Sequence, residues 1–353
     1  MASALWRRIQ STGMRTLAVM GMTKNTGKTV ALNHILAQAA AAHVDIGVTS
    51  IGRDGEDRDQ VFFFPKPPVL VWPGTIVATA RATLQRLKVR WKLLGSTDIE
   101  SPMGEILIVK ALDYGEMEIA GASRSSDQLT VIGRLQQCGA ALVILDGALG
   151  RSHHASPAIA DGVVLATGAA IGGGIQDVIR KTRDRLAILG IAQADDATRT
   201  CCEPVFLHGG VGIWNSTGAV LFQEDISTLN AGAALLRHIE SDVATIALAG
   251  AVGRSLWQAL NTMAARHPGL KVVVADGTKL FIENADLTAF QKRGAALLGY
   301  RGIKIAGITL NPFSPLGGHF AAQEFFEAAR EAFSGYEVSD VMWEEKMNKT
   351  GEV

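Results

Sequence analysis

The sequence predicts an α/β protein built on a mostly parallel, doubly wound sheet, and three observations lead to this prediction. Short apolar segments alternate with helix-like segments through the first half of the chain. Gly-rich turns follow several of these apolar segments, which is typical of a parallel sheet that is covered on both faces. The 353 residues are 48% hydrophobic and 19% charged, an ordinary globular composition for a chain of about two domains.

The first predicted elements surround the most informative part of the sequence. Residues 16–20 form an apolar run that ends at Gly21, which predicts a buried strand. The following segment carries Leu32, Ile35 and Leu36 at helical spacing, so we expect a helix over residues 30–42. Further strands are predicted at 46–51, 69–72, 141–145 and 161–166, and a further helix at 129–138.

The segment between the third strand and the second helix has a different pattern. Residues 105–110 and 116–120 are both strand-like, and a Tyr114-Gly115 turn separates them. Two such runs around a short turn predict an antiparallel hairpin. We expect it as an insertion between the parallel units.

A polar stretch at residues 195–200 is the best candidate for a domain boundary. It predicts a first domain over 1–194 and a second α/β domain over 200–353. The alternative, in which the second half extends the first sheet, stays open. Strands of the second half are predicted at 204–207, 219–222, 245–249, 270–275 and 303–310.

Charge and cysteine content exclude several classes of protein. Lys plus Arg and Asp plus Glu are both 34, so there is no basic excess of the kind that nucleic-acid binding requires. The three cysteines fit neither a disulfide framework nor a spaced zinc site. No secretory signal is visible at the N-terminus, and no apolar run approaches the roughly 18 residues that span a bilayer. We therefore predict a cytoplasmic protein that binds neither nucleic acid nor membrane.

The segment Gly21-Met-Thr-Lys-Asn-Thr-Gly-Lys-Thr29 lies between a predicted strand and a predicted helix. A Walker A loop needs a Gly before a Lys so that backbone N–H groups can surround phosphates, and a hydroxyl that binds Mg²⁺. Gly27, Lys28 and Thr29 supply these groups, although the first Gly of the strict pattern would fall at Met22. The predicted contacts to ATP are Gly21, Lys24, Asn25, Thr26, Gly27, Lys28, Thr29 and Val30.

Polar residues follow other predicted strands and complete the predicted site. Asp146 ends an apolar strand, as the Mg²⁺-binding acid of such proteins does, and ligands of open α/β sheets bind at that edge. Asp54 follows the second strand and is either a further Mg²⁺ ligand or part of a solvated turn. Asn311 precedes Pro312 and either reads a base edge or initiates a turn. Lys28 and Asp146 are the predicted catalytic residues, and Thr29, Asp54 and Asp146 the predicted metal ligands.

These motifs resemble a branch of P-loop NTPases that contains dethiobiotin synthetase, cobyrinate amidases and the accessory protein of molybdopterin-guanine dinucleotide synthesis. The pattern runs from residue 16 to 170. The pieces that carry it are the nine residues 21–29, the Asp146-Gly-Ala-Leu-Gly150 turn and the Val163-Val-Leu-Ala-Thr-Gly168 strand. The resemblance implies a P-loop NTPase sheet and a nucleotide-binding first domain.

A closer resemblance is to the smaller, non-MutS-like reactivase subunit associated with adenosylcobalamin-dependent lysine 5,6-aminomutase. It covers most of the first half and reaches into the second. Besides residues 21–29 and Asn33, it is carried by Gly47-Val-Thr-Ser-Ile-Gly-Arg-Asp-Gly-Glu56, Gly74-Thr-Ile-Val-Ala-Thr-Ala80, Pro102-Met-Gly-Glu-Ile106, Leu145-Asp-Gly-Ala148, Ala166-Thr-Gly-Ala169, Ala275-Asp-Gly-Thr278 and Thr309-Leu-Asn-Pro312.

This resemblance implies an ATP-dependent factor that helps an adenosylcobalamin-dependent aminomutase to exchange damaged cobalamin. It implies a MutS-like ATPase subunit as a second partner, and residues 200–353 are then a candidate partner-binding domain. Signature lysines of the superfamily reach a γ-phosphate across a dimer, which makes Lys24 a candidate for that role in a homodimer. Two alternatives remain: a ligase that phosphorylates a small carboxylate, bound by Arg53, Arg151 and Lys24, and a nucleotide-gated binding module without hydrolysis.

Overall fold

A computed structural model describes residues 2–50, 68–147 and 156–344, and its contacts divide the chain into two compact units. The first unit comprises Met1–Ala155, Ile159–Thr182 and Lys304–Val353, and the second comprises Ser156–Ala158 and Arg183–Ile303. Both units contain helices and sheets with parallel strands, so the predicted α/β class is confirmed.

The bounds of the elements are as follows. The strands are β1 Thr16–Gly21, β2 Ile46–Ser50, β3 Val69–Val71, β4 Ile76–Ala80, β5 Trp91–Ser101, β6 Gly104–Ala111, β7 Gly115–Met117, β8 Leu142–Asp146, β9 Gly162–Gly168, β10 Val211–Trp214, β11 Val220–Glu224, β12 Thr245–Leu248, β13 Lys271–Val274, β14 Ala296–Gly299, β15 Ile305–Asn311 and β16 Val338–Ser339. The helices are α1 Ala4–Ser11, α2 Lys28–Ala41, α3 Arg81–Leu84, α4 Ser125–Gln137, α5 Ile175–Leu189, α6 Asp196–His208, α7 Ala231–Arg237, α8 Arg254–Arg266, α9 Asn284–Lys292 and α10 Ala322–Ala332.

The first unit is built on a nine-stranded sheet in the order β16-β15-β9-β1-β8-β2-β4-β6-β5. Every neighbouring pair from β16 to β4 is parallel, and β6 and β5 extend the sheet as antiparallel strands. The central strand β1 therefore lies between β9 and β8, with parallel neighbours on both sides.

Neighbouring residues of a strand point to opposite faces of the sheet, and helices cover both faces. On one face, Ile46 and Val48 of β2 belong to the same buried core as Leu32 and Ile35 of α2. On the other face, a Cβ placed on Gly47 would lie 3.3 Å from Cβ of Leu135 in α4. The strands that carry the candidate site are thus buried on both sides.

The inserted hairpin is present, but its strands differ from the predicted ones. It consists of β5 and β6, which pair antiparallel around a turn that ends at Gly104, where φ is +88°. The predicted pairing of residues 116–120 with 105–110 was wrong, because the strand there, Gly115–Met117, pairs instead with Val69–Val71 in a separate two-stranded sheet. Bidentate hydrogen bonds from Arg90 to Asp113 tie the chain after β6 back to the start of β5.

The second unit is a five-stranded sheet in the order β11-β10-β12-β13-β14. Strands β12, β13 and β14 are parallel, whereas β10 is antiparallel to β11 and to β12. Its own buried core includes Trp257 of α8, Phe290 of α9 and Val272 of β13.

The division of the chain differs from the predicted 1–194 and 200–353. The polar residues at 195–200 are the start of α6, where the Asp195 carboxylate caps the helix by accepting a hydrogen bond from Thr198 N. Helix α6 also replaces the strand predicted at 204–207. The chain then returns at residue 304 to the first unit, where β15 pairs with β9. The second unit is therefore an insertion in the first.

Candidate functional site

Five parallel strands of the first unit end at one edge of the sheet. Strand β1 ends at Gly21, which is opposite Ala166 of β9, and Val19 of β1 is opposite Asp146 of β8. The last residues of these strands are Gly21, Ser50, Asp146, Gly168 and Asn311. The fold therefore brings to one edge the described residues from which the sequence predicted a site. The structure does not describe Arg53, Asp54, Glu56 or Arg151.

Residues 21–29 connect β1 to α2 and are called here the candidate phosphate loop. Its backbone turns sharply, since Gly27 and Asn25 have left-handed φ values of +89° and +61°. The Thr26 hydroxyl donates to Thr23 O at 2.9 Å and closes the tip of the loop. Met22 N donates to Ala166 O at 2.9 Å and fixes the start of the loop against β9.

The side chain of Lys28 passes over the end of β1. A Cβ on Gly21 would lie 2.6 Å from Thr26 Oγ1 and 2.9 Å from Cγ of Lys28, closer than real atoms approach. Any larger residue at position 21 would require the side chains of Thr26 and Lys28 to shift.

Helix α2 gives the loop a positive electrostatic end. The helix begins at Lys28, its N-cap is Gly27, and its first turn contains no acidic residue. The N-cap residue, being glycine, supplies no side-chain cap to the first N–H groups. The dipole of a helix and these N–H groups together favour an anion at the N-terminus.

An acid and a hydroxyl complete the site. Asp146 is 7% exposed at the end of β8, and Thr29 is 6% exposed in the first turn of α2. Gly147 N donates to Val19 O at 3.1 Å, which holds the residue after Asp146 against β1. Carboxylate and hydroxyl oxygens are hard ligands of the kind that Mg²⁺ prefers. Asp146 and Thr29 are thus of the residue types that bind magnesium.

The remaining loop residues divide by exposure. Lys24 and Asn25 are exposed at the tip of the loop, and Thr26 is buried beneath it. Val30 packs its side chain against the core of the unit, so it offers a ligand only its backbone.

Asn311 has a role that the sequence interpretation did not include. Its Nδ2 donates to Asn25 O at 2.9 Å, and its Oδ1 accepts from Phe313 N at 3.2 Å. A Cβ on Gly27 would lie only 3.1 Å from Cβ of Asn311. Asn311 thus supports the candidate phosphate loop from β15. A contact between residues 286 positions apart leaves no local signal in the sequence.

Other kinds of site find no support in the described part of the chain. Among residues 2–50, 68–147 and 156–344, no group of three or more His, Cys, Asp or Glu side chains could hold a metal ion. Within the same ranges, no helix has the length and apolar character needed to cross a membrane.

Comparison with models of known protein families found no match, and none was found among curated proteins or solved structures. The fold and the site therefore define this chain as an α/β protein with parallel strands. What the candidate phosphate loop binds has to be argued from its geometry.

Proposed function

We propose that this chain is a P-loop ATPase that binds ATP and Mg²⁺ at the candidate phosphate loop. The observation that carries the proposal is the position of Lys28. It begins α2, crosses the end of the central strand over Gly21, and lies at the edge where the neighbouring strand ends in Asp146. A cation, an open helix N-terminus and a buried acid at one strand edge suit a nucleoside triphosphate with its metal.

Each residue then has a distinct role. Lys28 pairs with the β- and γ-phosphates, and the backbone N–H groups of Asn25, Thr26 and Gly27 surround them. Thr29 and Asp146 hold Mg²⁺, with Asp54 as a further candidate ligand. When bound, the ion neutralises charge that develops on the transferred phosphoryl group.

We further propose that ATP drives an accessory role toward an adenosylcobalamin-dependent aminomutase, with a MutS-like ATPase as a second partner. The support for this is the sequence resemblance, which includes residues 47–56 and 309–312 besides the loop. ATP can shift a conformational equilibrium only as far as its affinity differs between the two states. The effect on the client should therefore depend on Lys28.

Binding is tested by replacing Lys28 with alanine and measuring Mg·ATP affinity by calorimetry. We expect a loss of about 10- to 150-fold, since a hydrogen bond to a charged group contributes about 1.5–3 kcal/mol. Lys88→Ala is the matched control, because it removes the same charge from an exposed position of the same unit. Unchanged affinity in a folded Lys28→Ala protein would contradict the site.

The accessory role is tested with an aminomutase inactivated by damaged cobalamin. Wild-type protein with Mg·ATP and intact cofactor should restore its turnover, and Lys28→Ala should not. If the MutS-like subunit is required, restoration appears only when it is added. No restoration with both subunits present would contradict the accessory role and leave the ATP site standing.

One observation favours a second candidate, the small-carboxylate ligase. The N-terminus of α4 lies at the same strand edge, since Gln128 in its first turn donates through Nε2 to Ser50 O at 2.7 Å. Exposed Arg124, Ser125 and Ser126 surround that terminus, and although Asp127 lies in the first turn, the arginine and the helix N-terminus suit an acidic group. ATP turnover that requires a small carboxylic acid, in the absence of any partner protein, would favour this candidate.

A further inference from the structure

Residues 311–320, called here the aromatic loop, follow β15 at the edge that carries the candidate phosphate loop. The aromatic loop is held by its own hydrogen bonds. Phe320 N donates to Pro312 O at 2.9 Å, and Gly317 N donates to Ser314 O at 3.1 Å. Ser314 N donates to Nδ1 of His319 at 3.1 Å, which fixes the plane of that ring.

The aromatic loop presents an exposed ring on a firm support. Phe313 is 54% exposed, although large apolar side chains are usually buried. Its ring stacks on that of His319, with centroids 4.6 Å apart and planes inclined by 14°. One face of Phe313 is thus covered by a fixed ring, and the exposed remainder is available for stacking.

The backbone that carries the ring starts at the candidate phosphate loop. Asn311 contacts that loop directly, through the bond from Nδ2 to Asn25 O and through its packing on Gly27. Phe313 is two residues further along, so its Cα is at most about 7 Å from that of Asn311. A group joined to a phosphate chain in the loop can therefore reach it.

We propose that Phe313, supported by His319, is the platform on which the base of the bound nucleotide stacks, and that the site accepts adenine and guanine alike. The inference rests on the proposed nucleotide binding. Stacking on an aromatic ring tolerates any base because every base has a π-face.

The polar groups beside the platform explain why it does not discriminate between purines. Both Nδ2 and Oδ1 of Asn311 already have protein partners. The backbone N–H groups of residues 313, 314, 316, 317 and 320 donate within the aromatic loop, and residues 312 and 315 are prolines. Within the aromatic loop, few backbone N–H groups are left to read a base edge, so we expect recognition to depend on the ring.

The test compares ligands with and without a base. The full chain is titrated by calorimetry with Mg·ATP, Mg·GTP and Mg·tripolyphosphate, for wild type, Phe313→Ala and Phe313→Tyr. Phe313→Ala should weaken ATP and GTP by about 5- to 150-fold, the range for loss of one stacked base, and leave tripolyphosphate unchanged. Phe313→Tyr should keep wild-type affinities. Leu316→Ala is the control, since it removes an exposed apolar side chain of the same loop that is outside the stacked pair.

Three results would overturn the platform while leaving nucleotide binding intact. In the first, Phe313→Ala binds ATP and GTP with affinities within twofold of wild type. In the second, Phe313→Ala loses as much affinity for tripolyphosphate as for ATP and GTP. In the third, the wild-type protein prefers one purine nucleotide more than tenfold. Failure of wild type to bind any of the three ligands would instead overturn the proposed function itself.

Discussion

Gly21 shows how a single missing side chain shapes the site. Because a Cβ at this position would lie 2.6 Å from Thr26 Oγ1 and 2.9 Å from Lys28 Cγ, the Gly21→Ala change forces both groups to move. We expect Mg·ATP affinity to fall at least tenfold, as calorimetry can measure, because Lys28 loses its position over the strand end.

A matched control for Gly21→Ala is available in α4. A Cβ at Gly133 meets nothing within 4 Å, so Gly133→Ala should raise the free energy of unfolding by about 0.5–1 kcal/mol without changing ATP affinity. If Gly21→Ala binds ATP as wild type does, the close packing over Gly21 does not set the position of Lys28.

Glu344 makes stability depend on pH. The pKa of its carboxyl is raised from 4.5 to about 7, chiefly by burial and also by the charges of Glu337 and Asp340, against a lowering hydrogen bond with Ser339. The folded protein therefore holds a proton that the unfolded chain releases, so this contribution to stability is fully present below about pH 4.5 and is lost as pH rises through 7. The Glu344→Gln protein should lack this loss.

Urea unfolding at pH 5 and pH 8 measures the effect of Glu344. Between these pH values, the free energy of unfolding of wild type should fall by about 1–2 kcal/mol more than that of Glu344→Gln. This figure is reduced because the carboxyl is partly exposed. Glu331→Gln, at an exposed position of α10, should behave as wild type. Equal losses in wild type and Glu344→Gln would show that the carboxyl is not buried in solution.

At the scale of elements, Gln128 joins α4 to the end of β2. Its side chain is fully buried, and Nε2 donates to Ser50 O and to Ala122 O, both at 2.7 Å. Gln128→Ala leaves both carbonyls without this donor. We expect the free energy of unfolding, measured with urea, to fall by about 2–4 kcal/mol. Gln137→Ala, at an exposed position of the same helix, should change stability by less than about 0.5 kcal/mol.

Strands and their polar ends were the elements that the sequence predicted best. Apolar runs such as 16–20 and 141–145 correspond to β1 and β8, because buried parallel strands are apolar on both faces. The hairpin was predicted with the wrong partner strand, since pairing of Gly115–Met117 with Val69–Val71 depends on residues far away in the chain. The polar start of α6 resembled a linker because helix caps and loops use the same residues.

For the whole molecule, two separate cores predict two unfolding transitions. Phe290 is fully buried in the core of the second unit, and Leu32 in that of the first. Phe290→Ala should lower the midpoint of one calorimetric transition, at a cost of about 3–5 kcal/mol, and leave ATP affinity unchanged. Leu32→Ala should lower the midpoint of the other transition. It should also weaken ATP binding, because α2 carries Lys28.

A single transition in both variants would contradict this independence of the two units. The insertion itself could not be predicted from the sequence. The return of residues 304–344 to the first sheet is decided by the pairing of β15 with β9, and periodicity alone does not say which sheet an apolar run joins.

The bond between Asn311 and Asn25 has a consequence for the order of events on the ribosome. The two residues are 286 positions apart, so at about 5–20 residues per second the loop emerges roughly a quarter of a minute to a minute before its support. During that interval the nascent chain carries Lys28 but not the strand that steadies the loop around it. Tight capture of ATP should therefore begin only after Asn311 has emerged and reached the loop.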